Sequence, residues 1–228
     1  VHGVTSAGTK GSYSYDANGN MATRAISGTS YTLTYDQANA MVGTNGSGTT
    51  ASFVYDGDGA RVKGTVNGTT TIYIGEHYEV SGTTVKKYYY SGGERVAERV
   101  EGSPIPGENG LYYLLTDHLG STALALKEGG GSSEMRYDAY GKTRFISGSL
   151  PTSITYTGQR AEDQLGISYF KARWFDPKLG RFLQPDTIVP LASQGVMAHD
   201  RYAGMNNNPV RFNDPSGHAV PSEDPYKR

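Results

Sequence analysis

The pair Tyr-Asp returns at a fixed interval, and no other feature of this chain narrows its fold as much. Tyr15-Asp16, Tyr35-Asp36 and Tyr55-Asp56 stand 20 residues apart each time. A constant period of that size marks a stacked-repeat architecture, in which one short unit cannot bury its apolar face alone. Each pair ends an alternating run: Ser12-Tyr13-Ser14-Tyr15, Tyr31-Thr32-Leu33-Thr34-Tyr35 and Ser52-Phe53-Val54-Tyr55. Alternation places Tyr13 and Tyr15 on one face of a strand. Turn formers follow, among them Asn18-Gly19 and Asp58-Gly59, which tolerate positive φ and close a tight hairpin. The Asp after each Tyr is placed to accept backbone N–H groups where the strand stops, as in an Asx turn. Tyr137-Asp138 is a fourth pair, after a gap. We read the pair as a strand-end turn multiplied by duplication rather than as a ligand site.

Strand patterns continue beyond the repeats. Residues 61–66 and 69–74 flank Asn67-Gly68, a hairpin signal. Further strands are expected at 79–80, 84–90, 94–100, 111–115, 121–127 and 134–137, with a proline-bearing loop at 102–110 and a glycine-rich turn at 129–133. The first helix candidate is short, at 160–165. Hairpin after hairpin predicts an all-β chain, one continuous antiparallel meander rather than βαβ units. The edges of such a sheet need cover from other repeats or another chain.

Composition supports thin β walls. There are 18 Tyr and 31 Gly against 6 Phe and 1 Trp. A tyrosine ring buries while its hydroxyl finds a partner or water, which suits a sheet with two accessible sides. The length allows roughly 70% of the unfolded surface to be buried. Net charge is -1, which argues against a nucleic-acid partner. No apolar run is long enough for a membrane span. Cys is absent, so disulfides, a thiolate nucleophile and Cys metal ligation are excluded. His2, His77, His118, His199 and His218 have no metal-ligand spacing, and no cofactor motif is present. Gly43-Thr44-Asn45-Gly46-Ser47-Gly48 lacks the Lys-Ser/Thr of a phosphate loop. Trp174 with Tyr169, Phe170 and Phe175 reads as core packing, and His118 as a turn residue. The chain starts at Val1 without a leader pattern and reads as a fragment or processed product.

Several ordered motifs carry a resemblance. Thr116-Asp117-His118-Leu119-Gly120-Ser121, then Arg136-Tyr137-Asp138-Ala139-Tyr140-Gly141, then the run from Leu165 to Asp186, then Asn207-Asn208-Pro209-Val210 and Asp214-Pro215-Ser216-Gly217 stand in order. Together with the Tyr-Asp spacing, they resemble the RHS/YD-repeat family and its repeat-associated core over nearly the whole chain. Relatives in that family include the C components of Tc toxins, Rhs effectors and, more remotely, teneurins. The resemblance implies a shell-type repeat sheet at 1–157, a core that curls into a C-terminal plug with short helical turns at 158–218, and a tail at 219–228. It also implies secretion or display at a cell surface. The implied partners are the remainder of its own shell, a C-terminal cargo polypeptide and possible further protein chains.

Many members cut their own chain just after the last Asp-Pro-x-Gly. An aspartyl protease needs two close carboxylates that share a proton, one to activate water and one to protonate the leaving side. The matched residues are Asp186 and Asp214, with Asp200 as a third carboxylate and Arg181 as the nearest cation for orienting them. The expected cut is His218-Ala219. Three features depart from the pattern: Asp186 is followed by Thr187-Ile188-Val189 rather than Pro-x-Gly, His218 stands before the expected cut where Leu is usual, and Asp200 stands where Asn is commoner. The residues alone also allow a plain turn, because Asp-Pro-x-Gly suits type I. A non-catalytic structural or glycan-binding β module therefore stands as the alternative. The chain is shorter than a closed shell, and reads as the end of one.

Overall fold

The computed structural model describes residues 3–8, 11–188 and 200–218. Fourteen strands form one antiparallel sheet in strict sequence order: β1 Gly11–Tyr15, β2 Met21–Ile26, β3 Thr29–Tyr35, β4 Met41–Gly46, β5 Thr49–Tyr55, β6 Arg61–Val66, β7 Thr69–Ile74, β8 Tyr78–Ser81, β9 Thr84–Ser91, β10 Glu94–Glu101, β11 Gly110–Thr116, β12 Thr122–Lys127, β13 Ser132–Tyr137 and β14 Thr143–Ser147. The expected all-β meander is what the chain adopts. A second antiparallel sheet follows: β15 Arg160–Glu162, β16 Ile167–Phe170, β17 Arg173–Asp176 and β18 Arg181–Phe182. The helix expected at 160–165 is not formed. Arg160 pairs with Tyr169 across β15 and β16, and the Ala161 N–H donates to the Ser153 carbonyl at 2.8 Å. Strand pairing there overrides a weak local helix preference.

Each repeat is built by the same two turns. The first is a two-residue turn with positive φ at both positions: Ser27 and Gly28 (52° and 80°), Ser47 and Gly48 (50° and 76°), Asn67 and Gly68 (49° and 81°). That conformation matches the strand twist. The second follows the Tyr-Asp pair, where a register shift falls just before the Tyr in each case. Asp36 Oδ1 then accepts the N–H groups of Ala38 and Ala40, both at 2.9 Å. Asp16 and Asp56 do the same in their turns. Asp117 makes this turn too, with Leu119 and Ser121 both at 2.9 Å, although Thr116 precedes it.

The tyrosines have a separate duty. Tyr35 Oη donates to the Met21 carbonyl at 3.0 Å, and Tyr55 Oη to the Met41 carbonyl at 2.7 Å. Each hydroxyl thus ties its repeat to the one before. Burial raises the proton affinity of both phenols, so they remain donors. Tyr55 Oη also accepts the Trp174 indole N–H at 3.2 Å. Tyr55→Phe removes both bonds and leaves their partners in a dry site, a loss of about 1–2 kcal/mol. Chemical denaturation should show that loss with an unchanged slope; a parent-like midpoint would refute the bracing role.

The core lies between the two sheets. Tyr13, Leu33 and Phe53 occupy equivalent repeat positions and are buried with Met21 and Met41 against Leu165, Ile167, Trp174 and Leu183. A second cluster joins Tyr156, Phe170, Phe175, Phe182 and Met205. Phe53 and Trp174 meet with ring centroids 4.6 Å apart. One buried ion pair pins the sheets together: Arg24 Nε donates to Asp176 Oδ2 at 2.7 Å, with side-chain exposures of 3% and 0%. β14, at one sheet edge, is exposed along its whole length.

Candidate functional site

Asp186 and Asp214 converge on a single cation, Arg173. Arg173 opens β17, whose four residues are all buried. Its guanidinium lies over the Phe182 ring, 3.6 Å from the centroid. Its Nη2 stands 3.0 Å from Asp186 Oδ2 and 3.4 Å from Asp214 Oδ2. The same nitrogen donates to the carbonyl of His218 at 3.0 Å. Nε donates to the carbonyl of Gly217, and Nη1 to that of Arg201 at 2.9 Å.

Local structure fixes each acid. Asp214 Oδ1 accepts the N–H groups of Gly217 at 2.8 Å and His218 at 3.1 Å. The turn expected of Asp-Pro-Ser-Gly is therefore present, and it is also what aims the second oxygen at Arg173. Gly217 has φ +76°, and a Cβ there would overlap the Phe170 carbonyl oxygen, so only glycine fits. Gln159, buried, donates from Nε2 to the carbonyls of Asp214 and Pro215 at 3.2 and 3.3 Å. Asp186 Oδ1 accepts the Ile188 N–H at 3.0 Å and faces His218 Nδ1 at 3.1 Å.

Burial and charge oppose one another here. Burial raises the proton affinity of Asp214, and the Arg173 guanidinium works against that rise. Burial lowers the proton affinity of Arg173, and Asp186 and Asp214 work against that fall.

The cation expected from the sequence is a different one. Arg181 pairs with Asp200, Nη1 lying 2.8 and 2.7 Å from the two carboxylate oxygens, and this pair is partly exposed. Neither residue pairs with Asp186 or Asp214 among the described residues. Alternation across β18 explains it: Phe182 turns into the core at 0% exposure, so Arg181 points the other way. Arg173 is the residue that sequence reading missed. Ala219 and His199 lie outside the described residues. Among the described residues, no group of three His, Cys, Asp or Glu side chains is placed to hold a metal. His118 Nε2 is bonded to the Val210 carbonyl at 3.0 Å.

Comparison with known proteins agrees with this architecture. The Teneurin YD-shell family description matches residues 103–213. That match, with the repeat sheet, supports the RHS/YD-repeat family for this chain. Salivary gland surface protein 1 of Aedes aegypti is 37% identical over 112 residues, 48% of this chain and 3% of that protein. The tRNA nuclease WapA of Bacillus subtilis strain 168 is 30% identical over 112 residues, 48% of this chain and 5% of that protein. The chain therefore spans a small part of the relatives it matches. Among solved structures, the Tc holotoxin pore of Photorhabdus luminescens superposes with a TM-score of 0.72 at 21% identity, over 92% of this chain and 11% of that one. The TcdB2-TccC3 complex gives 0.72 at 23% identity, over 89% and 11%. These likenesses establish the shell-type fold. No helix among the described residues is long and apolar enough to cross a membrane.

Proposed function

We propose that this chain is the end of an RHS shell whose plug, residues 158–218, hydrolyses its own His218-Ala219 bond and frees the polypeptide that follows. One observation carries the reading: Arg173 Nη2 contacts Asp186, Asp214 and the His218 carbonyl together. That carbonyl belongs to the bond expected to break. Water adds to the His218 carbonyl carbon, and the carboxylate pair takes the water's proton. Arg173, already on the oxygen, supports the charge that develops there. The C–N bond then breaks as a proton passes to the Ala219 nitrogen. The tethered substrate supplies the proximity. Asp200 and Arg181, paired with each other, tie β18 to the turn at 200–203. On this reading the protein is secreted or presented at a surface, with the rest of its shell and its downstream cargo as partners.

The test is the intact mass of a chain carrying a folded reporter after Arg228. A parental product ending at His218, with full-length Asp186→Asn, supports the reading. A parent that stays whole from about pH 4 to pH 8 leaves the structural alternative, a β module that completes a larger wall.

A further inference from the structure

A cleft of about 780 Å3 lies between the sheet and the plug; Gln159 and Pro215, beside the Asp214 turn, line it, while Arg173, Asp186 and Asp214 do not. Its sheet wall holds Arg61, Tyr73 and the Glu94-Arg95 corner; the opposite wall holds Thr157, at the junction with the plug, and Tyr169 and Lys171 of the plug. Three polar atoms of these walls are buried and lack a hydrogen-bond partner among the described residues: Arg61 Nη2, Arg95 Nε and Thr157 Oγ1. Arg61 and Thr157 are each only 7% exposed. Buried donors in native proteins are nearly always satisfied, so a group of three in one cleft points to an acceptor supplied from outside.

We infer that this cleft binds a small acidic sugar, a uronic acid of one or two rings. The volume lies in the range of small-ligand sites. Arg61 already faces Glu162 at 2.8 Å, and Lys171 faces Glu76 at 2.6 Å. Arg95 has no carboxylate within ion-pair distance among the described residues; its Nη2 donates to Tyr90 Oη at 2.7 Å. It is the cation left for a ligand carboxylate. A phosphate dianion is disfavoured because Glu76, Glu94 and Asp117 line the same space. Those carboxylates only accept hydrogen bonds, and guanidinium groups only donate. Hydroxyls satisfy both kinds at one atom, and a wall where Glu94 adjoins Arg95 asks for that. A peptide instead presents N–H and C=O groups at separate, fixed spacings. Stacking contributes little, because the Tyr73 ring already has Arg61 and Arg160 guanidinium groups each 4.6 Å from its centroid.

Titration calorimetry of the full chain with glucuronate, glucose and an acidic tripeptide tests the site. Glucuronate should bind with a Kd near about 1 mM, and glucose and the peptide should bind at least about tenfold more weakly. Arg95→Gln should weaken glucuronate by about tenfold or more while thermal unfolding stays cooperative. If Arg95→Gln does not fold, Thr157→Val, a change of equal shape, decides by losing several-fold in affinity. No heat with glucuronate, equal binding of glucose or peptide, or a folded variant that binds like the parent would each overturn the site.

Discussion

Arg24→Ala is expected to destabilise the chain by about 3–5 kcal/mol. The substitution leaves the Asp176 carboxylate at 0% exposure without its counter-ion. It also strips donors from the Leu165 and Gly166 carbonyls, which Arg24 holds at 3.1 and 3.3 Å. Asp176 Oδ1 keeps the N–H groups of Lys178 and Leu179, so the turn survives and the loss reports the pair. Removing both charges should cost far less, because a buried ion pair offsets its own desolvation only in part. Arg24→Met combined with Asp176→Asn is therefore expected to recover most of the stability. Urea unfolding of the single and double variants checks this. A single variant within about 1 kcal/mol of the parent would show that the pair does not pin the sheets together.

The second large effect concerns the self-cleavage proposed above. Arg173→Gln should slow release of the downstream segment by about 10²–10³-fold, the usual loss when a preorganised donor to a developing oxyanion is removed. Arg173→Lys keeps the charge but replaces a planar fork with a point donor, and should fall between. Asp186→Asn should lose about 10²–10⁴-fold. The pH profile separates chemistry from folding. Because burial raises Asp214 above an ordinary aspartate, its protonated form persists to higher pH than an exposed carboxyl would allow. Release should therefore quicken as pH falls from neutral, as Asp214 takes up its proton. Mass spectrometry of timed samples reads the rate. A folded Arg173→Gln chain that cuts at the parental rate would remove Arg173 from the chemistry.

The repeat physics was legible because it is local. The Asp turns need only residues two and four positions on, and those stand beside each Tyr-Asp pair. The tyrosine bonds were not legible, since their acceptors depend on how one repeat staggers on the last. Thr116-Asp117 makes the same turn without the tyrosine, so a search for the dipeptide passes over it. β14 was missed because Thr143–Ser147 has no buried face to impose alternation. In the site, Asp186 and Asp214 followed from their motifs. Arg173 did not, because a cation amid Phe170, Trp174 and Phe175 reads as an interruption of the core. Its meaning depends on the distant Asp214 turn arriving beside it.

The Arg24 pair has a consequence for the order in which the molecule is made. Nearly every contact in the large sheet joins neighbouring strands, so hairpins can zip up one after another as they leave the ribosome, each needing only its predecessor. The second sheet instead closes on β2 and the turn before it: Asp176 on Arg24, the Leu183 carbonyl on the Met21 N–H at 2.8 Å, and Tyr202 Oη on the Gly19 carbonyl. Loop closure across that separation comes last. β17, which carries Arg173, can therefore reach its final seat only after β1 and β2 are in place, so assembly itself acts as a timer on whatever chemistry β17 supports.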